Sequence, residues 1–267
     1  MGKIIRENSF MKELNRDGQI RIYLPKNYSI SDKHYPVIYM HDGQNLFDVE
    51  DSSFGNIWNA HGVLSYFESA EIPKEYIIVG IDNGKERYNE YSPWEYENLY
   101  EEITISKAFP EKVGGKGSLY GDYIVNTLKP YIDNKYRTLK DQKNTWIMGS
   151  SMGALISLFI GLRFPELFGK IGAISPAVWF AEKSLLEYCN KPLRNQKIYM
   201  DIGTEESSGV NVSNFPEIYL TGAIKLSKII EKNIDDKNNM KFVIDEGAEH
   251  NEKAWKKRLP SIIEWLS

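Results

Sequence analysis

Residues 145–163 read Thr-Trp-Ile-Met-Gly-Ser-Ser-Met-Gly-Ala-Leu-Ile-Ser-Leu-Phe-Ile-Gly-Leu-Arg. The stretch opens on a short apolar run, Trp146 to Met148, which reads as a buried strand. Gly149-Ser150-Ser151-Met152-Gly153 follows, a G-x-S-x-G pattern. Beyond it Leu155, Ile156, Phe159, Ile160 and Leu162 recur at helical spacing. The order is strand, tight turn, helix, with Ser151 at the apex. In that context the motif reads as a nucleophile elbow, a turn that lifts a serine hydroxyl clear of a sheet. Glycine is expected at 149 and 153 because a side chain at either would collide with the neighbouring strand or helix. At the helix's amino end the Met152 N–H and the helix dipole both favour developing negative charge, which makes Met152 a candidate oxyanion donor.

Toward the N-terminus, Tyr35 to Met40 is a strand with little alternation, as expected for burial on both faces. It runs into His41-Asp42-Gly43-Gln44-Asn45-Leu46-Phe47-Asp48, a polar loop at the strand end where open α/β sheets bind ligands. There Gly43 is expected to let the backbone approach a substrate, with the Gln44 N–H as second oxyanion donor. Ser9 to Leu14 and Gln19 to Leu24 flank Asn15-Arg16-Asp17-Gly18 and read as a hairpin turning at Asp-Gly, closed by Pro25. Asn59 to Ala70 is a predicted helix and Glu75 to Ile81 a buried strand. The irregular segment from Asp82 to Gly117 carries Tyr88, Tyr91, Trp94, Tyr96 and Tyr100, and is expected to wall the site. Ser118 to Lys135 is a helix with an irregularity at Pro130.

Toward the C-terminus, Lys170 to Ile174 is a strand ending in Ser175-Pro176, and Lys197 to Ile202 one ending in Gly203-Thr204-Glu205-Glu206. Ala223, Leu226, Ile230 and Ile234 mark a helix face. Met240 to Ile244 is the last strand, followed by a turn over Glu246 to His250, and Leu259, Ile262, Ile263 and Leu266 line the final helix. Strands alternating with helices imply a mostly parallel central sheet, helices on both faces, with an antiparallel N-terminal hairpin.

A serine hydroxyl needs a base, and the base an orienting acid. Of the four histidines, His34 lies in a polar loop and His61 on the first helix; His41 and His250 follow strand ends on the Ser151 side. Only His250 follows the last strand, and Ser151, an acid near 205 and His250 obey the chain order nucleophile, acid, base. His41 is expected to shape its loop through a backbone hydrogen bond. For the acid, Glu206 is preferred, then Glu205, then Asp201, which would need partners of its own if buried. Trp58, Trp94 and Trp179 are candidate substrate-binding rings.

The 267 residues suit a single domain over 1–267; 42% are hydrophobic and 26% charged, enough for a sizeable core. A net charge of −4 argues against a nucleic-acid binder. The single cysteine, Cys189, points to a reducing compartment. No secretion signal opens the sequence, Gly2 is followed by Arg6 where a myristoylation site needs Ser or Thr, and no apolar run approaches a membrane span, so a cytoplasmic location without membrane partners is expected. The histidine and carboxylate spacings match no zinc motif, and there is no G-x-G-x-x-G or P-loop; neither metal nor cofactor is expected.

At these residues the chain resembles the Putative esterase family of α/β hydrolases, which includes siderophore esterases, feruloyl and acetyl-xylan esterases, esterase D-like proteins and antigen 85-type mycolyltransferases. The matching stretches are Tyr35 to Asp48, Glu90 to Trp94, Tyr131 to Ala154, Phe164 to Phe180, Asp201 to Glu206 and Glu246 to Leu266. The resemblance implies an α/β-hydrolase fold, Ser151 as nucleophile, His250 as base, Glu206 as the acid after Gly203-Thr204, and Gln44 as oxyanion donor. Ala154 stands where many relatives carry a second Gly; a helix interior tolerates Ala better. The expected activity is that of a serine esterase on a small ester such as a siderophore lactone or an acylated sugar. An acyltransferase of the same fold, or a non-catalytic binding protein on the scaffold, are the alternatives, and oligomeric state is not readable.

Overall fold

The computed structural model describes residues 2–97, 112–207 and 212–267. In chain order come strands β1 (Lys3–Met11), β2 (Arg16–Leu24) and β3 (Val37–His41), helix α1 (Ala60–Glu68), β4 (Ile77–Ile81), α2 (Arg87–Glu90) and α3 (Gly117–Tyr123). A π-helical turn, Ile124–Leu128, joins α3 to α4 (Lys129–Lys135). Then follow β5 (Thr145–Ser150), α5 (Met152–Arg163), β6 (Lys170–Ile174), α6 (Glu182–Cys189), β7 (Lys197–Glu205), α7 (Phe215–Asn233), β8 (Met240–Glu249) and α8 (Glu252–Leu266). The strands form one sheet in the order β1-β2-β4-β3-β5-β6-β7-β8. β1 and β2 pair antiparallel, β2 pairs antiparallel with β4, and every pair from β4 to β8 is parallel. This is the α/β-hydrolase fold expected from the strand–helix alternation.

Alternation along the strands divides the core in two. Tyr39, Val79, Ile147 and Ile171 face a layer made by α3, α5, α6 and α7. Ile38, Met40, Ile78, Trp146 and Met148 face α1 and α8. Helix α5 is buried over all of Met152–Leu162, which explains its apolar run. It lies close on the sheet at Gly161, where an added Cβ would sit 2.4 Å from Ile171 Cδ1 and 2.6 Å from its Cγ1. Gly161→Val should therefore overpack this layer and cost about 1–3 kcal/mol. For a chain of this size that is a fall of roughly 3–10 °C in the thermal midpoint, measurable by circular dichroism.

Several local expectations need correction. The first hairpin turns at Lys12–Leu14, with Asn15 in the left-handed region (φ 50), not at Asp17-Gly18. Asparagine tolerates that conformation. Asp17 and Gly18 lie within β2 opposite Phe10 and Ser9, and the tip of Met11 packs into the space beside Gly18, 2.5 Å from where a Cβ would be. The irregularity near Pro130 is the π turn just before it, which relieves the clash a proline ring makes with the preceding turn. Helix α6, not expected from the sequence, is short and buries Leu185 and Cys189 on one face. The turn expected over Glu246 to His250 is mostly strand: β8 runs to Glu249, paired with a β7 that itself extends to Glu205. A register shift between Gly203 and Glu205 accompanies the extension, and Gly247 (φ 71) donates its N–H to Thr204 Oγ1 at 2.8 Å. No helix among the described residues is long and apolar enough to cross a membrane.

Candidate active site

Parallel pairing from β3 to β8 brings the carboxyl ends of β5, β7 and β8 to one rim of the sheet. Ser151 stands there between β5 and α5 with φ 58 and ψ −123, a conformation non-glycine residues hold only under strain. The surroundings pin it on three sides. Its N–H donates to the Ile174 carbonyl at 3.0 Å, and its own carbonyl accepts from Ala154 at 3.0 Å and Ala177 at 3.1 Å. A side chain at either flanking glycine would crowd the neighbouring helix or strand, as expected. A Cβ at 149 would lie 3.0 Å from the Gly153 carbonyl and 3.1 Å from His41 Cδ2; one at 153 would lie 3.3 Å from His41 Cβ. His41 is thus wedged against the turn.

His250 and Glu206 meet directly. The His250 Nδ1–H donates to Glu206 Oε2 at 2.5 Å, with the glutamate side chain fully buried. This fixes the tautomer and leaves Nε2 of a neutral ring free to accept a proton. Glu206 Oε1 accepts from Ser175 Oγ at 2.6 Å and from the Gly203 N–H at 2.7 Å. Burial pushes the Glu206 pKa up, but the bonds from His250, Ser175 and Gly203 outweigh it and the net shift is downward. Glu205 is exposed on β7 opposite Glu249. Asp201 is buried in the body of β7, where its Oδ1 accepts from Arg258 Nη1 at 2.9 Å and from the Ser175 N–H at 3.2 Å. Burial raises its pKa to about 7 against the pull of Arg258.

The loop after β3 is built by its own polar contacts. Asp42, in the left-handed region at φ 55, is gripped by Arg87 through two bonds of 2.7 Å and by Asn83 Nδ2 at 2.6 Å. Gln44 is buried, its amide held between Ser53 Oγ at 3.2 Å and the Asn83 N–H at 3.2 Å. Asn45 Nδ2 donates to the buried Glu252 at 3.0 Å, which ties this loop to the start of α8. The glycine at 43 serves packing: a Cβ there would lie 2.7 Å from the Gly80 carbonyl carbon and 2.8 Å from the Ile81 nitrogen, so it faces β4. Met152 is the first residue of α5, where an N–H has no partner within its own helix. His41 bonds the Tyr120 hydroxyl through Nδ1 at 2.9 Å, a side-chain partner in place of the expected backbone one. Burial drives its pKa down to about 3, so it stays neutral.

Two rings hold the imidazole: Trp255 meets it edge-on at 5.0 Å, and Tyr219 lies 5.0 Å away on a tilt. Trp58 is buried and stacks on Trp255 at 5.6 Å. Trp179, also buried, packs on Tyr219, Phe215 and Tyr96. Trp94 packs on Phe159 and Tyr188. Tyr88 and Tyr96 lie against Phe180, so this part of the irregular segment covers the loop after β6; Tyr91 is buried beside His41, and Tyr100 lies outside the described residues. Sequence reasoning missed Ser175, Trp255, Arg258 and Glu252. A signal existed for Arg258: it shares the apolar face of Trp255, Leu259 and Ile262, and a charge on such a face needs a buried partner.

The family model for Putative esterase matches residues 11–266. The chain belongs to that family. This esterase is a carboxylic ester hydrolase by membership. It is 28% identical over 248 residues to the uncharacterised protein YbbA of Bacillus subtilis, covering 92% of this chain and 90% of that one. Among solved structures it is similar to an IroE-like serine hydrolase from Shewanella oneidensis, with a TM-score of 0.76 and 21% identity over 99% of this chain and 79% of that one. It also resembles the enterobactin esterase FES from Shigella flexneri, solved in the presence of enterobactin. That match has a TM-score of 0.69 and 15% identity, and covers 99% of this esterase and 58% of that chain.

Proposed function

We propose that this chain is a serine esterase working through an acyl-enzyme, with Ser151 as nucleophile, His250 as base and Glu206 as orienting acid. Ser151 Oγ attacks the ester carbonyl and its proton passes to His250 Nε2. The N–H groups of Gln44 and Met152 hold the oxyanion as the tetrahedral intermediate forms. Collapse breaks the ester C–O bond, and the proton on His250 goes to the leaving alkoxide. Water, deprotonated by the same imidazole, then releases the acyl group and regenerates the serine. The observation that carries this reading is the His250–Glu206 bond of 2.5 Å at the rim where Ser151 sits in a strained turn.

The substrate in this reading is a small ester. The half-buried rings over the loop after β6, Tyr88 and Tyr96, suit a planar acyl or aryl group, with the buried Trp179 and Phe180 packed behind them. A siderophore lactone, after the relative solved in the presence of enterobactin, and an acylated sugar are the two classes to assay first. Trp58 acts from below by supporting Trp255. A fluorophosphonate probe at neutral pH, followed by peptide mass mapping, tests the nucleophile: the adduct is expected on Ser151. An unlabelled protein, or an adduct elsewhere, removes the mechanism.

A further inference from the structure

The proton pattern around Ser175 follows from which groups can only donate. Arg258 Nη2 and Trp255 Nε1 each lie 3.1 Å from Ser175 Oγ. Guanidinium and indole nitrogens carry hydrogens and accept none, so both bonds run toward the hydroxyl oxygen and occupy its two lone pairs. Among the described residues the one hydroxyl proton then has one acceptor in reach, Glu206 Oε1 at 2.6 Å. With the Gly203 N–H also pointing at Oε1, that oxygen has no room for a proton of its own. The surroundings therefore favour the ionised carboxylate and fix the rotation of its plane, which turns Oε2 toward His250.

Two further features fit a dedicated role. Ser175 sits in the left-handed region at φ 45. Glycine meets that backbone demand without strain, so a serine is worth its cost there only for the hydroxyl. Arg258 is itself anchored: Asp201 Oδ1 accepts from its Nη1 and from the Ser175 N–H, which ties the guanidinium and the Ser175 backbone to the same aspartate. Asp201, an alternative acid on sequence grounds, serves here as the acceptor that keeps Arg258 in place.

We propose that Ser175 and Arg258 are positioning residues that act through Glu206: Arg258, with Trp255, aims the Ser175 proton at Oε1, and the carboxylate so held orients His250. The inference rests on the Ser151–His250–Glu206 reading above. The charged and titratable groups facing this centre are His250 from the end of β8, Asp201 and Tyr199 from β7, Asp245 from β8 at 3.7 Å from Arg258 Nε, and Arg258 itself, 4.0 Å from Glu206 Oε1. Without the Ser175 proton, Glu206 Oε1 loses a donor and the carboxylate becomes more basic. It then holds the imidazolium more tightly, and the acid limb of the pH–rate profile moves to higher pH.

The test uses the full chain with p-nitrophenyl acetate, measuring kcat, KM and the pH profile of Ser175→Ala, alone and combined with Glu206→Gln. Ser175→Ala is expected to lower kcat about 10- to 100-fold, the range for losing one hydrogen bond to a buried charge. KM should stay within about twofold, because no substrate contact is removed. In the Glu206→Gln background the same change should cost less than about threefold, since the group it acts through is already disabled. Arg258→Lys keeps the charge but loses the second prong, and should give a smaller loss with the same shift of the acid limb. Far-ultraviolet circular dichroism and thermal midpoints confirm that each variant is folded. A folded Ser175→Ala enzyme with wild-type kcat and an unmoved acid limb would overturn the proposal. So would an equal loss in both backgrounds, which marks a general structural defect. Ser151→Ala, run alongside, separates the two readings: if it is inactive while Ser175→Ala is normal, only the positioning role fails.

Discussion

Ser151→Ala is expected to reduce p-nitrophenyl acetate turnover to near background, a loss on the order of 10⁶-fold in kcat. The size follows from the chemistry: without the hydroxyl no acyl-enzyme forms, and the remaining oxyanion donors act only on direct attack by water. Fluorophosphonate labelling should vanish in the same variant. The fold should not suffer. Ser151 Oγ is not needed to hold the turn, whose backbone is secured by Ile174, Ala154 and Ala177. Ser151→Gly sharpens the point. It is equally inactive but removes the strain at φ 58, a relief of about 1–3 kcal/mol set against about 0.5–1 kcal/mol of added chain entropy. Its thermal midpoint should match or exceed wild type. A Ser151→Ala protein that keeps its turnover would end the proposed mechanism.

The second large effect belongs to Glu206→Gln, for which kcat should fall about 10³- to 10⁴-fold. Three donors converge on this side chain: His250 Nδ1, Ser175 Oγ and the Gly203 N–H. A carboxylate accepts from all of them, whereas an amide has one oxygen and an NH₂ that can only donate. Whichever way the substituted amide turned, its NH₂ would face a donor or pull His250 into the tautomer protonated on Nε2, which cannot take the serine proton. The variant also has a signature in stability. Glu206 has its folded-state pKa below the ordinary 4.5, so its ionised form stabilises the fold above that pH. That contribution is lost as pH falls through the folded-state value. Wild type should therefore outlast Glu206→Gln in thermal melts near neutrality, and the gap should close in acid.

The elbow was legible because three independent signals coincide between Trp146 and Leu162: an apolar run, glycines two residues either side of a serine, and helical periodicity. The parallel strands were legible for a similar reason, since Tyr35 to Met40 and Ile171 to Ile174 show little polar alternation. What stayed hidden depends on contacts distant in the chain. Asp17-Gly18 looks like a turn, but both residues lie inside β2, paired with Phe10 and Ser9. Gly43 looks like a substrate-facing residue, but the space it leaves is taken by β4. His41 carries no local sign that its partner is Tyr120. Glu206 is preferred over Glu205 without a local signal that separates them; burial of one and exposure of its neighbour accompany the register shift after Gly203, which no periodicity announces.

That shift has a mechanical meaning. Glu205 and Glu249 are ladder partners, so Glu206 and His250 are the next step off the end of the same two paired strands. The proposed acid and base are thus hinged together at the tip of a ribbon, and their spacing is set by main-chain hydrogen bonds in place of the slack of two unrelated loops. Inserting or deleting one residue between Asp245 and Glu249 would rotate the histidine to the opposite side of the ribbon. Amide exchange at Glu205 and Glu249 becomes a gauge of readiness: when that tip frays, the enzyme falls silent long before the rest of the molecule opens.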